Sequence, residues 1–254
     1  MCLILFAYNV HPTYKLIVAA NRDEFYNRST AAAHFWEDVP EILAGRDLEK
    51  QGTWMGVSKK GLFSALTNYR NPLETIEGKR SRGELVANAL KYSGEIKGYM
   101  NSLSSQREQY PGYNLLAGDL NELFYYSNIS NHLEKLTPGI YGVSNHLLNT
   151  DWPKVRKGKE GLAQCINRRN DDYLVENLFT VLKHSEPFPD ELLPKTGVSL
   201  EWERRLSSLF IHSKDYGTRS STVLLMSNQH IQYVERIYLN GENHKEQTYM
   251  IEYE

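Results

Sequence analysis

The chain has little cysteine: among its 254 residues only Cys2 and Cys165 carry a thiol. They lie far apart and form no CxxC or Cys/His spacing, so neither a disulfide framework nor a zinc site is predicted. The eight histidines show no HxxxH or CxxCH pattern, which gives no support to a histidine metal site or covalently attached haem. We therefore expect no metal and no resident cofactor.

Long apolar runs and an excess of one charge are also missing. No stretch approaches the roughly 18 uninterrupted apolar residues that span a bilayer, and a secretory leader pattern is absent. The net charge of −2 provides no field that would gather nucleic acid. These absences predict a cytoplasmic protein with no integral membrane segment and no nucleic-acid partner, and they leave the oligomeric state open. The basic stretch 154–159 lacks interleaved aromatics and is interpreted as a solvated helix face.

The apolar pattern predicts strands at both ends of the chain and helices in the middle. Strands are expected at 3–8, 14–20, 53–58, 61–69, 113–117, 123–126, 140–144, 222–227, 231–239 and 247–253. Helices are expected after a Ser81/Glu84 capping box, around 174–182 and over 199–210. This order indicates an α+β layered fold, not a βαβ repeat, in one domain spanning 1–254.

Cys2 stands at the start of the first predicted strand. If the initiator methionine is removed, Cys2 carries a thiol and a free α-amine, whose reference pKa values are about 8.5 and about 7.7–8.0. A nucleophile and its base then share one residue. The alternative is that Cys2 is a small buried apolar residue, as free cysteine often is.

A polar cluster, Asn21-Arg22-Asp23-Glu24, ends the second predicted strand beside Cys2. Asp23 is a candidate partner for the Cys2 amine, and Arg22 is a candidate for stabilising the thiolate. A surface salt bridge at a strand end is the competing interpretation.

Three further polar residues follow or precede apolar strands. Asn68 and Asn145 are candidate amide donors to a developing oxyanion, although each alone also fits a turn. Arg219, in the run Tyr216-Gly217-Thr218-Arg219-Ser220-Ser221-Thr222, is a candidate for holding a carboxylate or stabilising a buried thiolate, unless the run is an ordinary loop.

These features occur together and in order with other motifs of the chain. The set comprises Cys2, Asn21-Arg22-Asp23-Glu24, Gly52-Thr53-Trp54-Met55-Gly56, Thr67-Asn68-Tyr69-Arg70, Ser81-Arg82-Gly83, Gly112-Tyr113-Asn114-Leu115-Leu116, Gly142-Val143-Ser144-Asn145 and the run 216–222. The combination resembles the NRDE family, also called the transport and Golgi organisation family. That family in turn resembles N-terminal nucleophile hydrolases of the choloylglycine hydrolase and penicillin V acylase type, which implies a four-layer αββα sandwich.

The resemblance also implies roles for individual residues. It makes Cys2 the nucleophile, with its own amine as base and Asp23 as partner of that amine. Asn68 and Asn145 match the oxyanion-stabilising positions, and Arg219 matches the arginine near the nucleophile. One departure concerns the hydrolases' arginine three residues before the aspartate: here that position is Ala20, and Arg22 is expected on the opposite face of the strand.

Two functions are compatible with these residues. The first is hydrolysis of a carbon–nitrogen amide bond in a small acylated molecule through a Cys2 thioester. The second is a non-catalytic protein that binds haem or acyl-CoA in the same cleft, in line with the haem trafficking and lipid metabolism linked with the family. A retained Met1 would block the Cys2 amine.

Overall fold

Two antiparallel β-sheets form the centre of the molecule. A computed structural model describes residues 2–168 and 171–253. The strands are β1 Cys2–Tyr8, β2 Tyr14–Phe25, β3 Thr30–Phe35, β4 Ile42–Asp47, β5 Met55–Ser58, β6 Phe63–Asn68, β7 Tyr113–Gly118, β8 Leu123–Ser127, β9 His132–Lys135, β10 Gly139–Val143, β11 Tyr216–Ser227, β12 His230–Leu239 and β13 Glu242–Glu252. The first sheet has the order β10-β1-β2-β11-β12-β13, and the second runs from β3 to β9 in chain order.

Helices cover the outer face of each sheet. Their bounds are α1 Gly83–Lys91, α2 Ile96–Gln106, α3 Pro153–Ile166, α4 Leu174–Leu182 and α5 Leu200–Arg205. The apolar residues of α1 and α2 share a buried cluster with strands of the second sheet. Those of α3 and α4 share one with strands of the first sheet. The predicted αββα sandwich is therefore confirmed.

The side chains of β1 alternate between two buried layers. Leu3 and Leu5 pack against the helices, whereas Ile4 and Phe6 pack between the sheets. Adjacent residues of a strand point to opposite faces, so this alternation assigns even-numbered positions of β1 to the space between the sheets. Cys2 is an even-numbered residue at the start of this strand and follows the same rule.

The ladder between β2 and β11 contains one irregularity. Ser220 pairs with Arg22, but the next pair joins Thr218 to Asp23, so Arg219 is an extra residue on β11. A β-bulge of this kind changes which side chains of the longer strand meet its partner. The bulge lies beside Cys2, because Arg22 is also the partner of Cys2 across the ladder between β1 and β2.

Several sequence-based boundaries were wrong. Strand β2 continues through the polar cluster to Phe25, and β11 begins at Tyr216, in the run considered as a loop. The helix expected over 199–210 ends at Arg205. The capping box is absent: α1 begins at Gly83, no side chain caps it, and Glu84 instead accepts a hydrogen bond from the Tyr110 hydroxyl.

Candidate active site

A cleft of about 400 Å³ opens at the end of the first sheet where β1 begins. We call it the Cys2 cleft. Its lining residues are Cys2, Arg22, Asp23, Glu24, Arg28, Asp47, Lys50, Thr53, Trp54, Leu66, Asn68, Ile76, Lys79, Arg80, Ser81, Arg82, Gly83 and Pro111. Volumes from about 300 Å³ upward suit small-molecule ligands. Four of the six residues proposed for catalysis from the sequence lie together here.

Arg22 is the direct neighbour of Cys2 across the ladder between β1 and β2. Residues opposite each other in such a ladder project to the same face, so the expectation that Arg22 points away from Cys2 is wrong. The prediction overlooked that residues two positions apart in a strand project to the same face, as Ala20 and Arg22 do. The Arg22 guanidinium lies 4.3 Å from the centre of the Trp54 ring, and the residue is 6 % exposed.

The charges around Cys2 oppose one another. Burial raises the pKa of the Cys2 thiol, the Asp23 carboxylate raises it further, and Arg22 lowers it. The net shift is upward, so the thiol is protonated near neutral pH and needs a base before it can act as a nucleophile.

Asp23 is almost completely buried, with 1 % exposure, and its Oδ1 accepts a hydrogen bond of 2.7 Å from the Thr218 hydroxyl. Burial raises the pKa of Asp23, while the nearby charge of Lys154 and the Thr218 hydrogen bond act in the opposite direction. Lys154 itself is buried and donates from Nζ to the carbonyl oxygen of Leu206 over 3.0 Å. Its pKa is lowered by burial to about 8. The interpretation of 154–159 as a solvated face is therefore wrong at its first residue.

Asn68 and Asn145 are linked to each other. Asn145 is fully buried, and its Nδ2 donates to the backbone carbonyl of Asn68 over 3.0 Å. The Ser144 hydroxyl donates to the Cys2 carbonyl oxygen and to Asn145 Oδ1, over 3.1 and 3.2 Å. Asn68 lines the Cys2 cleft and Asn145 does not. Asn145 therefore contacts the Asn68 backbone from outside the cleft lining, a placement that strand-end location alone did not predict.

Arg219 lies outside the set of residues that line the Cys2 cleft. Its Nη1 donates to the carbonyl oxygens of Phe25 and Arg28, over 3.0 and 2.9 Å. The structure thus uses Arg219 to hold the turn that follows β2 and does not bring it to the thiol.

A second, smaller space of about 50 Å³ lies behind Arg22, between the sheets. Arg22, Trp54 and Glu235 all line it. Glu235 is 1 % exposed, and its Oε2 accepts a hydrogen bond of 2.7 Å from the backbone N–H of Ala33. Burial raises the pKa of Glu235, and the Ala33 hydrogen bond and the Arg22 charge partly offset that effect. Glu235 sits in the middle of an apolar strand pattern, and the sequence analysis missed it.

Arg82 is a second charged residue near Cys2 that sequence reasoning missed. It lines the Cys2 cleft, and its Nη1 donates to the carbonyl oxygen of Gly112 over 3.1 Å. Burial lowers the pKa of Arg82, and the nearby carboxylate of Glu74 partly offsets that effect. The Ser81-Arg82-Gly83 motif was the signal that could have identified it.

Over residues 2–168 and 171–253, no group of three histidine, cysteine, aspartate or glutamate side chains is arranged to hold a metal ion. Within the same ranges, no helix has the length and apolarity needed to cross a membrane.

Comparison with known proteins confirms the family resemblance inferred from the sequence motifs. The family model "Transport and Golgi organisation 2" matches residues 1–240. A transport and Golgi organization protein 2 homologue from Bos taurus is 38% identical over 264 residues, covering 95% of each chain. A homologue from Mus musculus is 35% identical and covers 100% of this chain and 99% of its own.

Among solved structures, the chain is similar to an N-acylethanolamine-hydrolyzing acid amidase orthologue from Caenorhabditis elegans. The TM-score is 0.55 at 12% identity, with 88% of this chain and 92% of the other covered. At this identity the likeness concerns the fold, which is that of the N-terminal nucleophile hydrolases. The chain belongs to the Transport and Golgi organisation 2 family.

Proposed function

We propose that this protein is a hydrolase that cleaves the carbon–nitrogen amide bond of a small acylated molecule, with Cys2 as nucleophile. The observation that carries the proposal is the grouping of a thiol, an arginine, a carboxylate and an amide in one cleft: Cys2, Arg22, Asp23 and Asn68. A nucleophile, charged groups that tune it and an amide donor are the components required for acyl transfer.

The first chemical step needs a base for the thiol. After removal of Met1, the free amine of Cys2 takes the thiol proton, and Asp23 supports the resulting ammonium group. Met1 lies outside the described residues, so its removal stays a prediction. The thiolate sulfur then attacks the carbonyl carbon of the substrate.

The remaining steps release the two products. The Asn68 amide stabilises the negative charge on the substrate oxygen, and Asn145 holds the Asn68 backbone in place. The amine product leaves with the proton held on the Cys2 amine, which gives a thioester on Cys2. Water attacks the carbonyl carbon of that thioester and gives one proton to the free amine. The carbon–sulfur bond then breaks, the carboxylic acid leaves, and the amine returns its proton to the Cys2 sulfur.

A non-catalytic carrier of haem or acyl-CoA is the second candidate. The raised pKa of Cys2 favours it, because a protonated thiol is a weak nucleophile. A carrier binds its ligand stoichiometrically without turnover, and replacement of Cys2 by serine barely changes its dissociation constant.

The experiment compares wild type with Cys2→Ala and, as a matched control, Cys165→Ala. Cys165 is the other free cysteine and is buried away from the Cys2 cleft. Intact mass spectrometry first establishes whether Met1 is absent. The chain is then incubated with a panel of acyl amides, and an acyl adduct is sought on the peptide containing residue 2.

A hydrolase gives turnover and an adduct in wild type and Cys165→Ala, and neither in Cys2→Ala. Full turnover by Cys2→Ala contradicts the proposed mechanism. Stoichiometric ligand binding without turnover in a chain lacking Met1 supports the carrier instead.

A further inference from the structure

Two glycines set the position at which α1 begins. The backbone N–H of Thr53 donates to the carbonyl oxygen of Gly83 over 3.1 Å. A Cβ atom added at Gly52 would lie 2.5 Å from the Gly83 carbonyl carbon. Only glycine at position 52 permits this backbone approach. The contact fixes the start of α1 in the wall of the Cys2 cleft, together with Arg82, which directly precedes the helix.

The cations of this cleft outnumber its carboxylates. Its lining contains the six cations Arg22, Arg28, Lys50, Lys79, Arg80 and Arg82, and the three carboxylates Asp23, Glu24 and Asp47. A concave site with an excess of one charge concentrates ligands of the opposite charge. The cleft therefore favours a ligand with a negatively charged group.

Two of the six cations are neutralised by direct ion pairs. Arg28 lies 2.8 Å from Asp47 and 3.1 Å from Glu49, and Arg80 lies 2.6 Å from Glu84. These guanidinium groups are already occupied by protein carboxylates, so they are poor candidates for binding a ligand anion.

Three other cations of the lining make no ion pair with the described carboxylates. Arg82 donates to the Gly112 carbonyl, and Lys79 donates to the Tyr110 carbonyl over 3.4 Å. Lys50 is exposed at the rim. Backbone carbonyls are neutral, so these contacts orient the cations without cancelling their charge.

We infer that Arg82, Lys79 and Lys50 form a subsite for a carboxylate or phosphate group of the ligand. Arg82 is the central member, because its guanidinium is held by a neutral carbonyl in the cleft wall and a planar guanidinium pairs well with either anion. This inference rests on the proposed function only in placing the ligand's acyl carbonyl at Cys2. The positive end of α1 adds to the same field.

The test measures binding without chemistry, in a Cys2→Ala background. Calorimetry compares three probes with the same acyl chain: N-octanoylglycine, N-octanoylethanolamine phosphate and uncharged N-octanoylethanolamine. At least one anionic probe is expected to bind about tenfold or more tightly than the neutral one, since a charge-assisted hydrogen bond contributes about 1.5–3 kcal/mol. Whichever anion binds more tightly identifies the group that the subsite takes.

Substitution then assigns the effect to Arg82. Arg82→Gln is expected to weaken binding of the preferred anionic probe about 10- to 100-fold and to leave the neutral probe unchanged. Arg107→Gln is the matched control, because Arg107 pairs with Glu108 on the surface and lies outside the cleft lining. The Arg107→Gln variant is expected to bind the anionic and the neutral probe with wild-type affinity.

A double substitution, Lys79→Gln with Lys50→Gln, keeps the inference testable if Arg82→Gln does not fold. It is expected to weaken anionic binding about 3- to 10-fold, with the melting temperature retained. Equal affinity for charged and neutral probes overturns the inference, as does an equal loss of both probes in Arg82→Gln. Because binding is measured without turnover, a failure of the hydrolase proposal leaves these results interpretable.

Discussion

Replacing Gly52 by alanine tests the contact that holds α1 against the cleft. The new Cβ would lie 2.5 Å from the carbonyl carbon of Gly83, 2.8 Å from its oxygen and 2.9 Å from the nitrogen of Glu84. Ordinary contacts of a Cβ lie at 3.4–4 Å, so two backbone segments must separate by about 1 Å. Overpacking of this kind costs about 1–3 kcal/mol, and the lower chain entropy of alanine offsets about 0.4–1 kcal/mol of it.

The net expectation for Gly52→Ala is a loss of about 1–2 kcal/mol in the free energy of unfolding. For a chain of this size that corresponds to a fall of about 2–8 °C in melting temperature, measured by circular dichroism or calorimetry. Binding of the anionic probe should weaken as well, because the start of α1 carries Arg82 with it.

Gly98→Ala is the matched control, since Gly98 lies within α2. A Cβ there meets only the hydroxyl oxygen of Tyr92 at 3.2 Å, at the far end of a flexible side chain. Alanine inside a helix is favoured over glycine by about 0.5–1 kcal/mol, so this variant should melt at or above the wild-type temperature. An unchanged melting temperature for Gly52→Ala, or equal falls for both variants, would refute the reasoning.

Three further predictions concern charged side chains that are buried in the fold. Arg22→Gln should move the midpoint of the pH profile for Cys2 alkylation to higher pH, because Arg22 lowers the thiol pKa; an unchanged midpoint contradicts this. Burial raises the folded-state pKa of Glu235, so this residue lowers stability as the pH rises above its ordinary pKa of about 4.5. Glu235→Gln should therefore lessen the loss of stability between about pH 4.5 and neutrality, and urea titrations at several pH values measure the difference. Arg70→Met should cost about 3–5 kcal/mol in the free energy of unfolding, because it leaves Glu203 buried without its partner at 2.8 Å; a double variant with Glu203→Met should recover part of that loss in a thermal-melting cycle.

Strong local patterns made the layered fold predictable. Runs such as 3–8 and 231–239 combine branched or aromatic residues with clear turn signals at their ends. Strands β3 and β4 were missed because half of Thr30–Phe35 is alanine and Ile42–Asp47 contains glycine and two charged residues. These strands are stabilised by pairing with their neighbours in the second sheet, which local propensity does not record.

The position of the polar cluster was predicted from the sequence, but the face of β2 on which each of its side chains lies was not. Because β2 continues through it, successive residues alternate between faces. Asn21 donates to the carbonyl oxygens of Leu182 and Leu209 in the helical layer, whereas Arg22 lies beside Cys2. The four-residue motif thus combines an anchor for the helices with side chains of the cleft.

The surroundings of Arg82 and Glu235 could not be predicted from local pattern. Each acquires its surroundings from a segment distant in the chain: Arg82 through Gly112, and Glu235 through Ala33. Such pairings depend on the sheet order, which no short motif encodes. The same holds for Asn145, whose partner Asn68 lies 77 positions away.

The extra residue at Arg219 determines which chemical group meets the buried carboxylate. Without that insertion, the ladder that joins Ser220 to Arg22 would continue with position 219 opposite Asp23. A guanidinium would then stand next to Asp23 and favour its ionised form. The bulge instead presents the hydroxyl of Thr218, and Asp23 remains a carboxyl group with a raised pKa. One added residue in β11 thereby decides that the side chain opposite Asp23 is a neutral hydroxyl donor and not a guanidinium.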